Sequence, residues 1–595
     1  MRARHTTRSG AGPVGTLLVV LALVLAGCGG GGDDTPKLSE RAKSAPAIGE
    51  GTPVKVQASL LGDEGETASA GDAESYEPSG EIIADSGFRP EVDGFSFENY
   101  GNDVGPENLT TAEVQSLFGD QVCIGGDGED CRLIPPAKRW MDNQNEAMGG
   151  GHCMGFSVAA IRMFQEVLDP EDFGDDTTSE LEIVDNVDLQ KSIAEHWVYQ
   201  ALPLIQEKTV EGTPDKIVDR LVDTLNSGEE DYTIGIFMAD GSGGHAVTPF
   251  AIEDKGDGKA AILVYDNNYP GITRAMDVDL EENSWQYVGG TNPQNLGEVY
   301  QGNADTKSMV LLPTTPGEEQ QPCPFCRGEA AEDGEDLGST LPDAKQYSEI
   351  TLNGDVANHP HLILTDDQDR QTGIVDGKLK REIPGVEMDQ SFSVRNWEAG
   401  PEPRYRVPAG KDIGITVDGS NLKKTATVSL DLVGGGLVVA VDEIRIAPGQ
   451  QDNVYLDGKG RGFYYETNSK KDATPEFYAG LEDGDAAYTF AATAVGLKPG
   501  SPIGLLVDRE SGTVLLDADG THGSLDGKGY FGLLVGKETA TRSYIWGTDE
   551  LELDGKRGDG VYFNYKQTPK AGKSLELEVG PEDGPFKTVK APYQP

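Results

Sequence analysis

The sequence predicts an α+β domain followed by an all-β, sandwich-like half. Between residues 110 and 225, apolar positions recur at the three- and four-residue steps of helices. From residue 232 the period changes to that of strands, with Gly-rich turns between them. Beyond residue 345 almost every segment is a short apolar run bounded by turn residues. Helices first and strands after them, within one stretch of chain, are the pattern of an α+β domain.

The N-terminus opens with Arg2, Arg4, His5 and Arg8, followed by an unbroken apolar run over residues 14–26 and then Gly27 and Cys28. That run is too short to span a bilayer and fits the apolar core of a signal peptide, residues 1–28. The tetrapeptide Leu25-Ala26-Gly27-Cys28 resembles the lipobox of bacterial lipoproteins. The resemblance implies lipidation of the Cys28 thiol and stable attachment to the extracytoplasmic face of the cell membrane. Residues 29–94 are rich in Gly, Ser, Asp and Glu and poor in aromatics, the composition of a disordered tether, so order is expected to begin near Phe95.

Across 595 residues, 101 acidic side chains stand against 49 basic ones, for a net charge of −52. That balance excludes nucleic acid and anionic lipid as partners, since both require a positive footprint.

Thr110 or Thr111 caps a predicted helix through Phe118, and a second helix enters through prolines and runs from Ile134 to Met148. Gly149, Gly150 and Gly151 break it. A third begins at Cys153, shows Phe156, Ala160, Met163, Phe164, Val167 and Leu168 on one face, and is closed by Asp169-Pro170. Helical segments over 189–204 and 214–225 follow, then strands over 232–238, 245–252 and 260–265. The α+β domain is thus expected over 95–312, an acidic Pro/Gly-rich linker over 313–344, and one or two β-sandwich modules over 345–595.

Six cysteines sort by position. Cys28 takes lipid, and in an oxidising compartment Cys123–Cys131 and Cys323–Cys326 are expected to form disulfides. The CPFC spacing of the second pair also suits half a zinc site or a redox motif. Cys153 is left over, and an odd thiol in a secreted chain points to reactivity.

Cys153 lies in GGGHCMGFS, at the predicted start of a helix. The free N–H groups and positive dipole end there favour thiolate and can receive an oxyanion. Three histidines are candidate bases. His152 is the chain neighbour, whose side chain is expected to diverge, and His196 sits mid-helix as a structural residue. His245 follows a Gly-rich loop and opens the strand HAVTPFAI. The next strand ends in Asp266, 21 residues on, placed to orient the imidazole across an antiparallel pair.

A Cys at a helix start, His-Ala-Val on a strand and a polar residue ending the next strand resemble the papain-like cysteine peptidase superfamily. They also resemble a group of bacterial secreted proteins with a Gly-x-Cys-x-Gly signature. The first resemblance implies a papain-like fold, with Cys153 as nucleophile, His245 as base and Asp266 as the orienting group, where papain itself uses Asn. The oxyanion Gln of that superfamily has no counterpart at its usual spacing, where Ala147 stands. Gln144 and Asn145 are the nearest candidates.

In the β half, LDGKG-type segments recur near 456, 525 and 553 and are expected to be hairpin turns built on Asp-Gly. Asp517-Ala-Asp519-Gly520 lacks the remaining ligands of a calcium loop and is expected to be a turn. His359-Pro-His361 is expected to be an exposed pair, and no metal or cofactor is predicted. The favoured function is thiol-dependent hydrolysis of a peptide or amide bond, with a peptide or protein substrate at the cell surface. Transglutaminase-like acyl transfer and a non-catalytic surface adhesin or binding lipoprotein are the alternatives.

Overall fold

Thr110 caps a helix as its sequence requires. Its hydroxyl accepts from Ala112 N–H, Glu113 reaches back to its backbone, and the helix Thr111–Phe118 follows. Prolines at the first turn start the helix Pro135–Ala147, and the Cys153 helix spans Cys153–Phe164. Val167 and Leu168 fall outside that last helix, because the chain turns at Glu166 with φ 61°. Helices Val187–Trp197, Pro203–Lys208 and Pro214–Ser227 complete the set. The computed structural model describes residues 38, 40–49, 55–57, 60, 73–238, 243–288, 299–327, 347–355, 357–392, 402–408, 410–456, 461–469, 475–495, 499–500, 502–517, 528–554 and 559–595. The expected signal peptide with Cys28, much of the expected tether and the turn expected at Asp519-Gly520 lie outside these. No helix among the described residues is long and apolar enough to cross a membrane.

A nine-stranded sheet backs the helices. Its order is Val299–Asn303, Ser284–Val288, Thr273–Asp279, Lys259–Tyr265, His245–Gly256, Tyr232–Ile236, Met309–Pro313 and Val210–Glu211. The long His245 strand divides one edge between two partners. Its start pairs with Tyr232–Ile236, and residues 251–254 pair with Glu81–Asp85.

That last strand lies within the stretch expected to be tether. A five-residue strand in a polar segment gives little signal of its own and is stable only because a waiting edge supplies its partners. Nearby, the helix Glu40–Ser44 sets Arg41 over the Phe164 ring at 5.0 Å. Order therefore begins before Phe95.

The sulfur pairing is as expected: Cys123 is bonded to Cys131 and Cys323 to Cys326, with Cys153 free. The CPFC segment, however, is not part of a solvated linker. Phe325 packs on Phe118 and Trp140, with ring centroids at 5.0 and 5.5 Å, and both of its cysteines are buried. One aromatic between the cysteines was enough to bury the segment despite its acidic flanks.

The C-terminal half consists of a ten-stranded and an eleven-stranded antiparallel sheet. Successive hairpins alternate between them: Ala426–Gly434 with Leu437–Ile446 in the first, Gln451–Leu456 with Gly462–Thr467 in the second, then Glu476–Asp483 with Ala486–Val495 back in the first. Leu430, Val439 and Phe477 from one sheet and Ile415, Val454 and Phe463 from the other share one core, which runs from Ile350 to Ala591. The alternation explains why only the first LDGKG-type segment joins two paired strands. The described strands that flank the copies near 525 and 553 belong to different sheets, so those copies do not join a hairpin pair.

From residue 37 onward the chain packs as one unit. Arg139, on the helix Pro135–Ala147, pairs with Asp431 and Asp442 of the sandwich. Burial pushes the fully buried Asp431 carboxyl up to about 7 against the pull of Arg139. Asn353 of the sandwich donates to Asn143 at 2.8 Å, and Val433, Val438 and Phe392 join the apolar cluster that holds Trp140 and Cys153.

Candidate active site

His152 precedes the Cys153 helix without capping it by its side chain, so the N–H groups of the first turn keep their free end. Gly155 permits the helix to approach Val187–Trp197 closely: a Cβ there would run into the carbonyl oxygen of Ile193. The Gly of the GHCMG motif is thus a packing requirement that seats the thiol.

Cys153, His245 and Asp266 are each 0% exposed. His245 Nε2 lies 2.8 Å from Asp266 Oδ1. Its other nitrogen, Nδ1, is buried and meets no group at hydrogen-bonding geometry. The Cys153 thiol nevertheless acts on the ring. Burial, the largest influence, would lower the imidazole pKa. The Asp266 and Cys153 charges, together with the hydrogen bond to Asp266, overcome it and push the value up to about 10. Helix start, strand start and the end of the next strand therefore bring the three predicted residues together.

Asp266 is itself held. Oδ1 also accepts from Asn268 N–H at 2.9 Å, and Oδ2 accepts from the Tyr287 hydroxyl at 2.5 Å. Burial and the adjacent Asp266 charge keep that phenol protonated, well above its ordinary range. Asn267 donates to the carbonyls of Cys153 at 3.1 Å and Ala246 at 2.9 Å, tying the helix start to the His245 strand. Its Oδ1 is buried without a partner. Asn99 completes the brace, accepting from His152 N–H at 2.7 Å and donating to Asn268 at 3.2 Å. Asn99 and Tyr287 carry no pattern in the sequence, because both are recruited from separate elements.

The other candidates have other work. His152 bonds the Tyr100 carbonyl and Asn108, while His196 bonds the Ser192 carbonyl one helical turn back. Burial pushes both imidazoles down to about 4, so they stay neutral. Asn145 both accepts from and donates to the Leu109 backbone, at 3.1 and 3.0 Å, so its amide is used as a brace. The oxygen of Gln144 faces Arg404, 3.3 Å away, since a guanidinium can only donate. That orientation leaves the NH₂ end of Gln144 as a donor.

Arg404, from the sandwich, also bonds the Gln200 carbonyl at 3.2 Å. The Gln200 amide clamps Phe392 on both sides, accepting from its N–H at 2.6 Å and donating to its carbonyl at 3.3 Å. The Phe392 ring packs against Gly235, which pairs with Ala246 next to His245, and it occupies the space of any larger side chain there. A sandwich segment thus lies beside the strand that carries the base.

Compared with known proteins, the chain matches no family model, no curated protein and no solved structure.

Proposed function

We propose that this chain is a surface-anchored thiol hydrolase acting on a peptide or amide bond. The supporting observation is the buried Cys153 at a helix start beside a His245 imidazole whose far nitrogen is fixed by Asp266. The order nucleophile, base, orienting acid is what the papain-like resemblance implies. The high proton affinity of His245 favours transfer of the Cys153 proton to the ring before attack.

In that mechanism the thiolate adds to the substrate carbonyl, and the N–H groups of the first helical turn receive the oxyanion. The His245 imidazolium then gives its proton to the leaving amine, and the C–N bond breaks to leave a thioester. Neutral His245 takes a proton from water as the hydroxide attacks the thioester. The acid leaves, and the proton returns to sulfur. Asp266 keeps the ring in place and does not take the proton. The lipobox-like Leu25-Ala26-Gly27-Cys28 supports a setting outside the membrane for this chemistry, with a peptide or protein as substrate.

Iodoacetamide labelling followed by peptide mass spectrometry tests the reading. Cys153 should alkylate rapidly near neutral pH, and His245→Ala should slow it about 100-fold or more. A rate equal to that of an ordinary buried thiol, unchanged in His245→Ala, would leave a non-catalytic binding protein as the better account.

A further inference from the structure

A second cluster, far along the sequence, has the donor chemistry of a metal site. His359 Nδ1 lies 3.7 Å from Glu402 Oε2, and His361 Nδ1 lies 2.8 Å from the same oxygen. One donor atom from each of the three residues lies within 4.8 Å of the others. Zinc bound at about 2.0–2.1 Å in a tetrahedron holds its ligand atoms about 3.4 Å apart. The three donors therefore need to shift by about 1.4 Å at most to reach that geometry.

Glu402 is 2% exposed and already oriented. Its Oε1 accepts from Leu362 N–H at 2.8 Å and from the Tyr405 hydroxyl at 3.0 Å, which turns Oε2 toward the imidazoles. The His359 and His361 side chains are 14% and 22% exposed, so a cation has an approach from solvent and room for a water ligand. A single hydrogen-bonded histidine would suffice to satisfy Oε2. The second imidazole, His359, lies 3.7 Å from the same oxygen while its Nδ1 meets the Pro360 carbonyl at 3.0 Å, so two imidazoles converge on one carboxylate where a simple carboxylate–histidine pair has one.

We propose that His359, His361 and Glu402 bind a divalent transition-metal cation, with zinc the best match to two imidazoles and one carboxylate. Calcium and magnesium are disfavoured, because both require mainly oxygen ligands. The site lies just ahead of Arg404, the residue that holds Gln144 and the Gln200 carbonyl, so a bound cation would secure the segment that enters the front half.

Asn421 sharpens the proposal. Its amide nitrogen donates to the His359 carbonyl at 3.0 Å and faces His361 Nε2 at 3.1 Å, which puts the His361 proton on Nδ1. A metal on Nδ1 moves that proton to Nε2, where the amide nitrogen can no longer donate to it. A carboxylate at this position would accept the relocated proton and raise the ligand's basicity. Asn421→Asp should therefore tighten binding by about 10-fold.

The test uses the purified full chain, freed of metal with a chelator and titrated with Zn²⁺ by calorimetry and with Co²⁺ by visible absorption. One tight equivalent with the d–d bands of a four- or five-coordinate, nitrogen-ligated cobalt is expected. Both signals should be lost in His359→Gln and in His361→Gln, which alter partly exposed side chains and spare the core. Asn421→Asp should gain affinity, while Tyr405→Phe should lose about 10-fold. No saturable single equivalent, or binding that survives both histidine substitutions, would overturn the proposal and assign the uptake to the acidic surface.

Discussion

Asp266 and Glu402 each hold an imidazole at 2.8 Å, one in the front sheet and one in the sandwich, yet the two pairs stand in different surroundings. The His245 ring is sealed from solvent, and its second neighbour is a thiol. The His361 ring is partly exposed, and its second neighbour, across the carboxylate, is another imidazole. A carboxylate–histidine pair alone decides little. The third group determines whether it prepares a nucleophile or a cation site.

The contrast predicts a double dissociation, and this is the largest effect expected. His245→Ala should cut Cys153 alkylation about 100-fold and leave cobalt uptake unchanged, while His361→Gln should do the reverse. If one substitution moved both readouts, the two sites would be coupled and the comparison would fail. Asp266→Ala should have a milder effect, slowing alkylation about 10-fold, because Asp266 orients the imidazole and does not itself take the proton.

A further prediction concerns stability against pH. The folded pKa of His245 is raised to about 10 from 6.5, so its contribution is complete below 6.5 and is lost as pH rises toward 10. His152 and His196 are depressed to about 4, so theirs is complete above 6.5 and is lost as pH falls toward 4. Urea unfolding across pH should show both limbs. His245→Gln should flatten only the alkaline one, and His152→Gln should weaken only the acid one.

The smallest expected effect belongs to Phe392. Phe392→Ala removes the ring from Gly235 but keeps the backbone clamp of Gln200. Cys153 alkylation should quicken about threefold if this segment limits entry, since the site itself is untouched. An unchanged rate would place the entrance on another side.

Cys153, His245 and Asp266 were legible because each sits at an element boundary marked by glycine or by a change of period. Both disulfides were legible from spacing and compartment. Gln200, Tyr287, Asn99 and Glu402 were not, since each acts across a long sequence separation and stands in an unremarkable local context. The strand Glu81–Asp85 was hidden for a related reason: its stability comes from the edge it joins and not from its own composition. His359 and His361 were visible as a pair, but two imidazoles are no ligand set until a third group arrives, and Glu402 reaches them only through the fold.

Arg404 and Arg139 have a consequence for how this chain can be inherited or engineered. A gene cut within 313–344 would not yield two interchangeable cassettes. The front piece would lose the guanidinium that orients Gln144 and Gln200, and the back piece would keep Asp431 and Asp442 without their counter-charge. Shuffling the sandwich onto another catalytic partner would therefore require carrying the helix Pro135–Ala147 along with it.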